Sequence, residues 1–144
     1  MDLNRLDTVA GSTRGTFLHL KFGRDFLYVT DANGKEVLGA DGQRQPYGLD
    51  ICGIDDPHFA RLRDRALEER ARMRTEGGGL SLERDKELDR ELVAHAVKGP
   101  GNLVVDGKPV PSTHAAYVAL FARFPWIFDQ VNRAVSDRAR FVGN

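Results

Sequence analysis

Apolar positions recur with a period near two in the first third of the chain and with a helical period beyond Asp55. Thr16 to Phe22 (TFLHLKF) sets Phe17, His19 and Lys21 on one side and Leu18, Leu20 and Phe22 on the other, the alternation of a strand. Phe26 to Thr30 (FLYVT) and Tyr47 to Cys52 (YGLDIC) read as further strands, with Lys35 to Leu38 between two turn dipeptides, Asn33-Gly34 and Asp41-Gly42. A small antiparallel sheet is expected here.

The pattern then turns helical. Asp56 is the expected N-cap and Pro57 the first residue of a helix reaching about Arg74, because a cap carboxylate accepts orphan N–H groups and proline has none to lose. Gly77-Gly78-Gly79 breaks that helix, so a flexible loop is expected near residues 75–80. Ser81 caps a second helix expected to run to about Lys98, with Leu88, Leu92, Val93, Ala96 and Val97 at helical spacing. Leu103 to Val105, the turn Asp106-Gly107 and Lys108 to Val110 predict a short hairpin. Ser112 is the expected cap of a third helix ending near Arg123. Pro125 opens a fourth, with Ile127, Val131, Ala134 and Val135 on one face. The predicted architecture is therefore α+β. A single domain spans residues 1–144, with residues 1–15 flexible, a β region over 16–54, and a mainly helical part over 55–144 holding about four helices and one hairpin.

Composition narrows the function classes. Lysine and arginine number 21 against 21 aspartates and glutamates, and this zero net charge argues against a dedicated nucleic-acid binder. The balance is uneven locally: Asp55 to Glu91 holds 9 basic and 11 acidic residues, a highly charged helical zone. Cys52 is alone, which excludes an intramolecular disulfide and a cysteine zinc cluster. No apolar run approaches the roughly 20 residues of a membrane span. The start, MDLNRLDTVAGSTRG, lacks a signal peptide's basic and apolar blocks, so a cytoplasmic protein with no membrane partner is expected.

Little in the sequence assembles into chemistry. The histidines, His19, His58, His95 and His114, include no pair at the i, i+4 spacing that sets two imidazoles on one helix face for zinc. Ser112 and His114 lack a nucleophile elbow, and capping accounts for the serine. Adjacent Asp55 and Asp56 point in different directions, unsuited to paired acid–base work. The glycine triplet follows a charged helix and precedes no Lys-Ser or Lys-Thr, unlike a phosphate loop. No enzyme activity, cofactor or metal is expected. Arginines 61, 63, 65, 70, 72 and 74 leave their helix three positive, a basic face without the interleaved aromatics of a nucleic-acid platform. Phe121, Phe124, Trp126, Ile127, Phe128 and Phe141 crowd six large apolar residues into 21 positions. One helix cannot bury Trp126, Ile127 and Phe128 together, since successive residues lie about 100° apart. Either all pack in a core across elements, or one or two form a partner-binding patch.

The order of these segments, the turn VDGKPVPST and the closing FARFPWIFDQVNRAVSDRARF resemble small tailed-bacteriophage proteins described as tail assembly chaperones. The pattern of an aromatic residue, Pro and Trp, then Gln-Val, then Asp-Arg-Ala and Phe falls here on Phe124, Pro125, Trp126, Gln130, Val131, Asp137, Arg138, Ala139 and Phe141. The resemblance covers roughly residues 34–141 and is best over 102–141; the first thirty residues lie outside it. It implies a non-enzymatic protein of the host cytoplasm that binds the tape measure protein and the tail-tube subunits. Its expected contact residues are Trp126, Phe128, Arg138 and Phe141, with the Arg61 to Arg74 helix as a second surface. A structural tail or head–tail connector component of the virion is the alternative, and self-association is left open.

Overall fold

The computed structural model describes residues 1–76 and 78–142; Gly77, which belongs to the expected loop, lies outside them, as do Gly143 and Asn144. The fold is α+β, built on a three-stranded antiparallel sheet. Strand β1 (Thr16–His19) pairs with β4 (Gly48–Ile51), and β4 pairs with β5 (Val97–Gly99). Leu18 lies opposite Leu49, and Leu18, Leu49 and Ile51 bury one face of the sheet while Phe17 and Asp50 point outward.

Between β1 and β4 the chain makes two excursions. The first is the hairpin β2 (Lys21–Phe22) and β3 (Asp25–Phe26), as the turn Gly23-Arg24-Asp25 predicts. The second is an extended arm over residues 28–46. Single bridges hold it, Tyr28 with Pro46, Thr30 with Glu36 and Leu38 with Arg44. The expected strands at 26–30 and 35–38 are thus reduced to isolated pairings, because the arm has no third strand beside it. Asp31 and Asp41 close its two turns by accepting N–H groups of Asn33, Lys35 and Gln43.

Five α-helices complete the chain. Helix α1 (Thr8–Arg14) forms where a flexible segment was expected. Asp7 caps it, and its Gly11 and Ser12 are buried. Helix α2 (Pro57–Thr75) starts as predicted, the Asp56 carboxylate accepting the Phe59 N–H at 3.0 Å. Helix α3 (Leu82–Ala94) is capped by Ser81 but stops four residues before the predicted Lys98. Ala96 and Val97 satisfy a helical period, yet β4 claims that stretch: the Cys52 N–H donates to the Ala96 carbonyl, and Val97 pairs with Ile51. Tertiary pairing overrides local periodicity there.

Strands β6 (Val104–Val105) and β7 (Lys108–Pro109) make the predicted hairpin. Its turn carries Asp106 at φ 53° and Gly107 at φ 76°, the two left-handed residues of a type I′ turn. Helix α4 (His114–Arg123) is capped by Thr113 rather than Ser112, whose hydroxyl instead accepts from the Tyr117 phenol. Helix α5 (Pro125–Ser136) buries Ile127, Val131, Ala134 and Val135 as its stripe predicts. A 3-10 turn, Arg138–Phe141, follows.

One apolar cluster joins the sheet to the helices, with Leu18, Leu20, Leu49, Ile51, Phe121 and Val131 among its most buried members. The C-terminal turn closes it. Phe141 lies against Gly11 and near Gly53, and a methyl group on Gly11 would run into the Phe141 carbonyl. Replacing Gly11 by Ala should therefore lower stability by about 1–3 kcal/mol through overpacking. Helix propensity alone would raise it by about 1 kcal/mol, so the sign of the change in a urea titration decides whether this contact holds.

Candidate functional site

A groove near the candidate residues lies between the outward side of β1, the β2–β3 hairpin and α5, with a volume of about 510 Å³. The period of two in TFLHLKF builds one wall: Phe17, His19 and Lys21 share a side and all line the groove. Phe26 adds to that wall, its ring stacked on His19 at 4.5 Å with the Lys21 Nζ 4.4 Å above it. Trp126, in the first turn of α5, forms the opposite wall and meets Phe22 edge to face at 5.3 Å.

Gln130 ties the two walls together. Its Oε1 accepts the Lys21 N–H at 2.9 Å and its Nε2 donates to the Lys21 carbonyl at 2.6 Å. The side-chain amide thus pairs with a backbone residue as a neighbouring strand would. The hairpin is thereby fixed to the helix one turn beyond Trp126.

Two of the groove's aromatics stay open to solvent, Phe26 at 47% and Phe17 at 39%, and Phe22, which meets Trp126 from outside the lining, is 62% exposed. Monomeric surfaces rarely cluster rings this way without a partner. The rim holds Lys21, Arg133 and Arg140 against Asp129 and Asp137. Arg140 lies 3.7 Å from Asp137, whereas Arg133 has no carboxylate in ion-pair range among the described residues. The groove can therefore take apolar side chains on its floor and carboxylates at its rim.

The four expected contact residues do not gather. Trp126 lies in the groove. Phe128, two residues on, points elsewhere and packs half-buried edge to face on Phe121 at 5.5 Å. Phe141 is only 3% exposed and offers no contact surface; it serves the core. Arg138 clasps Asp55 through two hydrogen bonds, at 2.6 and 3.0 Å, fixing the C-terminal turn to the approach of α2. The Arg61 to Arg74 helix lines no part of the groove. Sequence reasoning did not single out Phe22 and Phe26 as exposed rings beside Trp126. Their signal was a hairpin too short to bury its aromatics.

The remaining reactive groups have structural settings. His95 closes α3 and stacks on His114 at 4.0 Å; desolvation first, then the neighbouring imidazole, holds its pKa below the ordinary histidine value. Burial, then the Asp56 carboxylate, pushes the Cys52 thiol up to about 11, so it is no thiolate nucleophile at neutral pH. No cluster of three or more candidate metal ligands occurs among the described residues, and no helix there is long and apolar enough to cross a membrane.

The Arg138 clasp, then the Thr8 hydroxyl, lowers the Asp55 pKa from 3.8 to about 2. The folded-state value lies below the unfolded one, so this stabilisation is present above about 3.8 and is lost as the pH falls toward about 2. Asp55→Asn should flatten the acid limb of the stability curve in that window. Parallel limbs for the two proteins in acid denaturation followed by circular dichroism would show that the clasp adds nothing.

No family model, curated protein or solved structure matches the chain.

Proposed function

We propose that this protein is a phage tail assembly chaperone whose aromatic groove holds an amphipathic segment of the tape measure protein. The observation that carries the reading is the cluster of exposed Phe17, Phe22 and Phe26 around the half-buried Trp126, on a framework pinned by Gln130. A long helical client exposes apolar stripes before assembly, and a preformed groove with a polar rim can cover them. Groove aromatics supply large contact area at small entropic cost, the property of binding hot spots. The Phe-Pro-Trp segment of the resemblance contributes Trp126 to this groove. Tail-tube subunits are a second proposed partner, and host cytoplasm the proposed compartment.

Co-expression with the tape measure protein and pull-down tests the reading. Trp126→Ala and Phe22→Ala should each weaken capture by about 2 kcal/mol or more, while circular dichroism stays unchanged. Trp126 is the sole tryptophan, so its emission should shift when client binds. Phe22 is largely exposed, and its variant separates loss of binding from loss of fold. Fixed copy number in purified particles, with no soluble complex, would favour the structural alternative instead.

A further inference from the structure

Helix α2 is 19 residues long, about 28 Å, yet it buries only Phe59 and Arg70. Helical propensity does not hold so polar a helix in place; packing must. Its inner stripe, Leu62, Ala66 and Met73, lies half-buried beside Leu88 and Leu92 of α3, leaving an open groove of about 270 Å³ along the hairpin. This groove shares no residue with the aromatic one.

The charges flanking this seam are sorted by sign, with Glu69 of α2, which lines the groove beside Arg65, as the exception. On α2, Arg61, Arg65 and Arg72 recur at spacings of four and seven, which places them in one stripe along the rim. None of the three has a carboxylate within ion-pair distance among the described residues. On α3, Glu83, Glu87 and Glu91 recur every four residues, an acidic stripe engaged only by the exposed Arg84. Over their full lengths α2 carries six arginines against three carboxylates, and α3 carries five carboxylates against three basic residues.

A buried cation adds a second sign of incompleteness. The Arg70 Nη1 donates to Asp89 at 2.7 Å and lies 3.5 Å from Asp85, but its Nε and Nη2 are buried without an acceptor. Arg70 lines the same groove. Donors left unmet in this way are costly, and the buried Oδ1 of Asp85 beside them is likewise without a hydrogen-bond partner.

One occupant answers the apolar seam and the flanking charges. An apolar seam flanked by a basic helix and an acidic helix is complementary to itself across a two-fold axis. Basic α2 then lies on the partner's acidic α3, and the reverse contact repeats the match. We infer that the α2–α3 hairpin pairs with the same hairpin of a second copy, forming a four-helix contact that covers Leu62, Met73, Leu88 and Leu92. The inference is independent of the client reading and concerns the chain alone.

Charge exchange in the purified full chain tests it. Sedimentation velocity should give a dimer. Arg65→Glu with Arg72→Glu should raise the dimer dissociation constant roughly tenfold or more, and so should Glu83→Lys with Glu87→Lys. Mixing the two variants should restore a heterodimer, because α2 of each then meets a partner α3 of opposite charge. These positions are exposed, and circular dichroism should confirm that both variants fold. A monomer at every concentration reached overturns the inference. So does a dimer indifferent to both reversals, failure of the mixture to reassociate, or open-ended growth without a limiting dimer.

Discussion

Everything in this fold hangs on the two-sided pairing of β4. Leu49 and Ile51 are fully buried, and the strand between Gly48 and Cys52 meets β1 on one edge and β5 on the other. Its partners come from residues 16–19 and 97–99, so each ladder closes a long loop before it gains a hydrogen bond. That constraint shapes what lies between. The segment from β1 to β4 must leave and return on the same side, which produces the hairpin and the arm. The segment from β4 to β5 does so as a helical hairpin. Each excursion leaves the core because the sheet has no room for it, and each carries solvent-facing apolar surface.

The two exposed surfaces differ in kind. The aromatic groove is rigid at its base, because the Gln130 amide fixes the β2–β3 hairpin to α5. Its open rings are side chains that a two-residue strand pair cannot cover. The α2–α3 seam is aliphatic and bordered by sorted charge. A preformed aromatic site suits capture of a foreign segment, whereas sign-sorted helices suit a partner with the same pattern.

Much of this was legible in the sequence wherever a local rule decides the outcome. Asp56-Pro57, Ser81, Asp106-Gly107 and Pro125 mark element boundaries through capping and turn chemistry, which needs only near neighbours. The α5 stripe was equally plain. Local rules failed at Val97, whose helical spacing lost to a strand contributed from residue 51. They failed at residues 8–14, where the short helix exists because it docks on Phe141 rather than because of its propensity. The candidate site divided in the same way. Trp126 stood out by type, but the sequence alone could not tell Phe141, sealed in the core, from Phe22, open to solvent. Burial is set by contacts more than a hundred residues away in the chain, such as Lys21 with Gln130.

The docking of Gly11 under Phe141 also joins two distant segments into one cooperative unit. Helix α1 buries Gly11 against Phe141, 130 residues further along the chain. Ser12 joins it, since the Gly53 N–H donates to its carbonyl beneath the same aromatic ring. A contact of this sequence separation is made only once the intervening chain is in place, so α1 and the C-terminal turn stand or fall together. Loss of either partner in this contact therefore loosens both segments together, although they lie at opposite ends of the described residues.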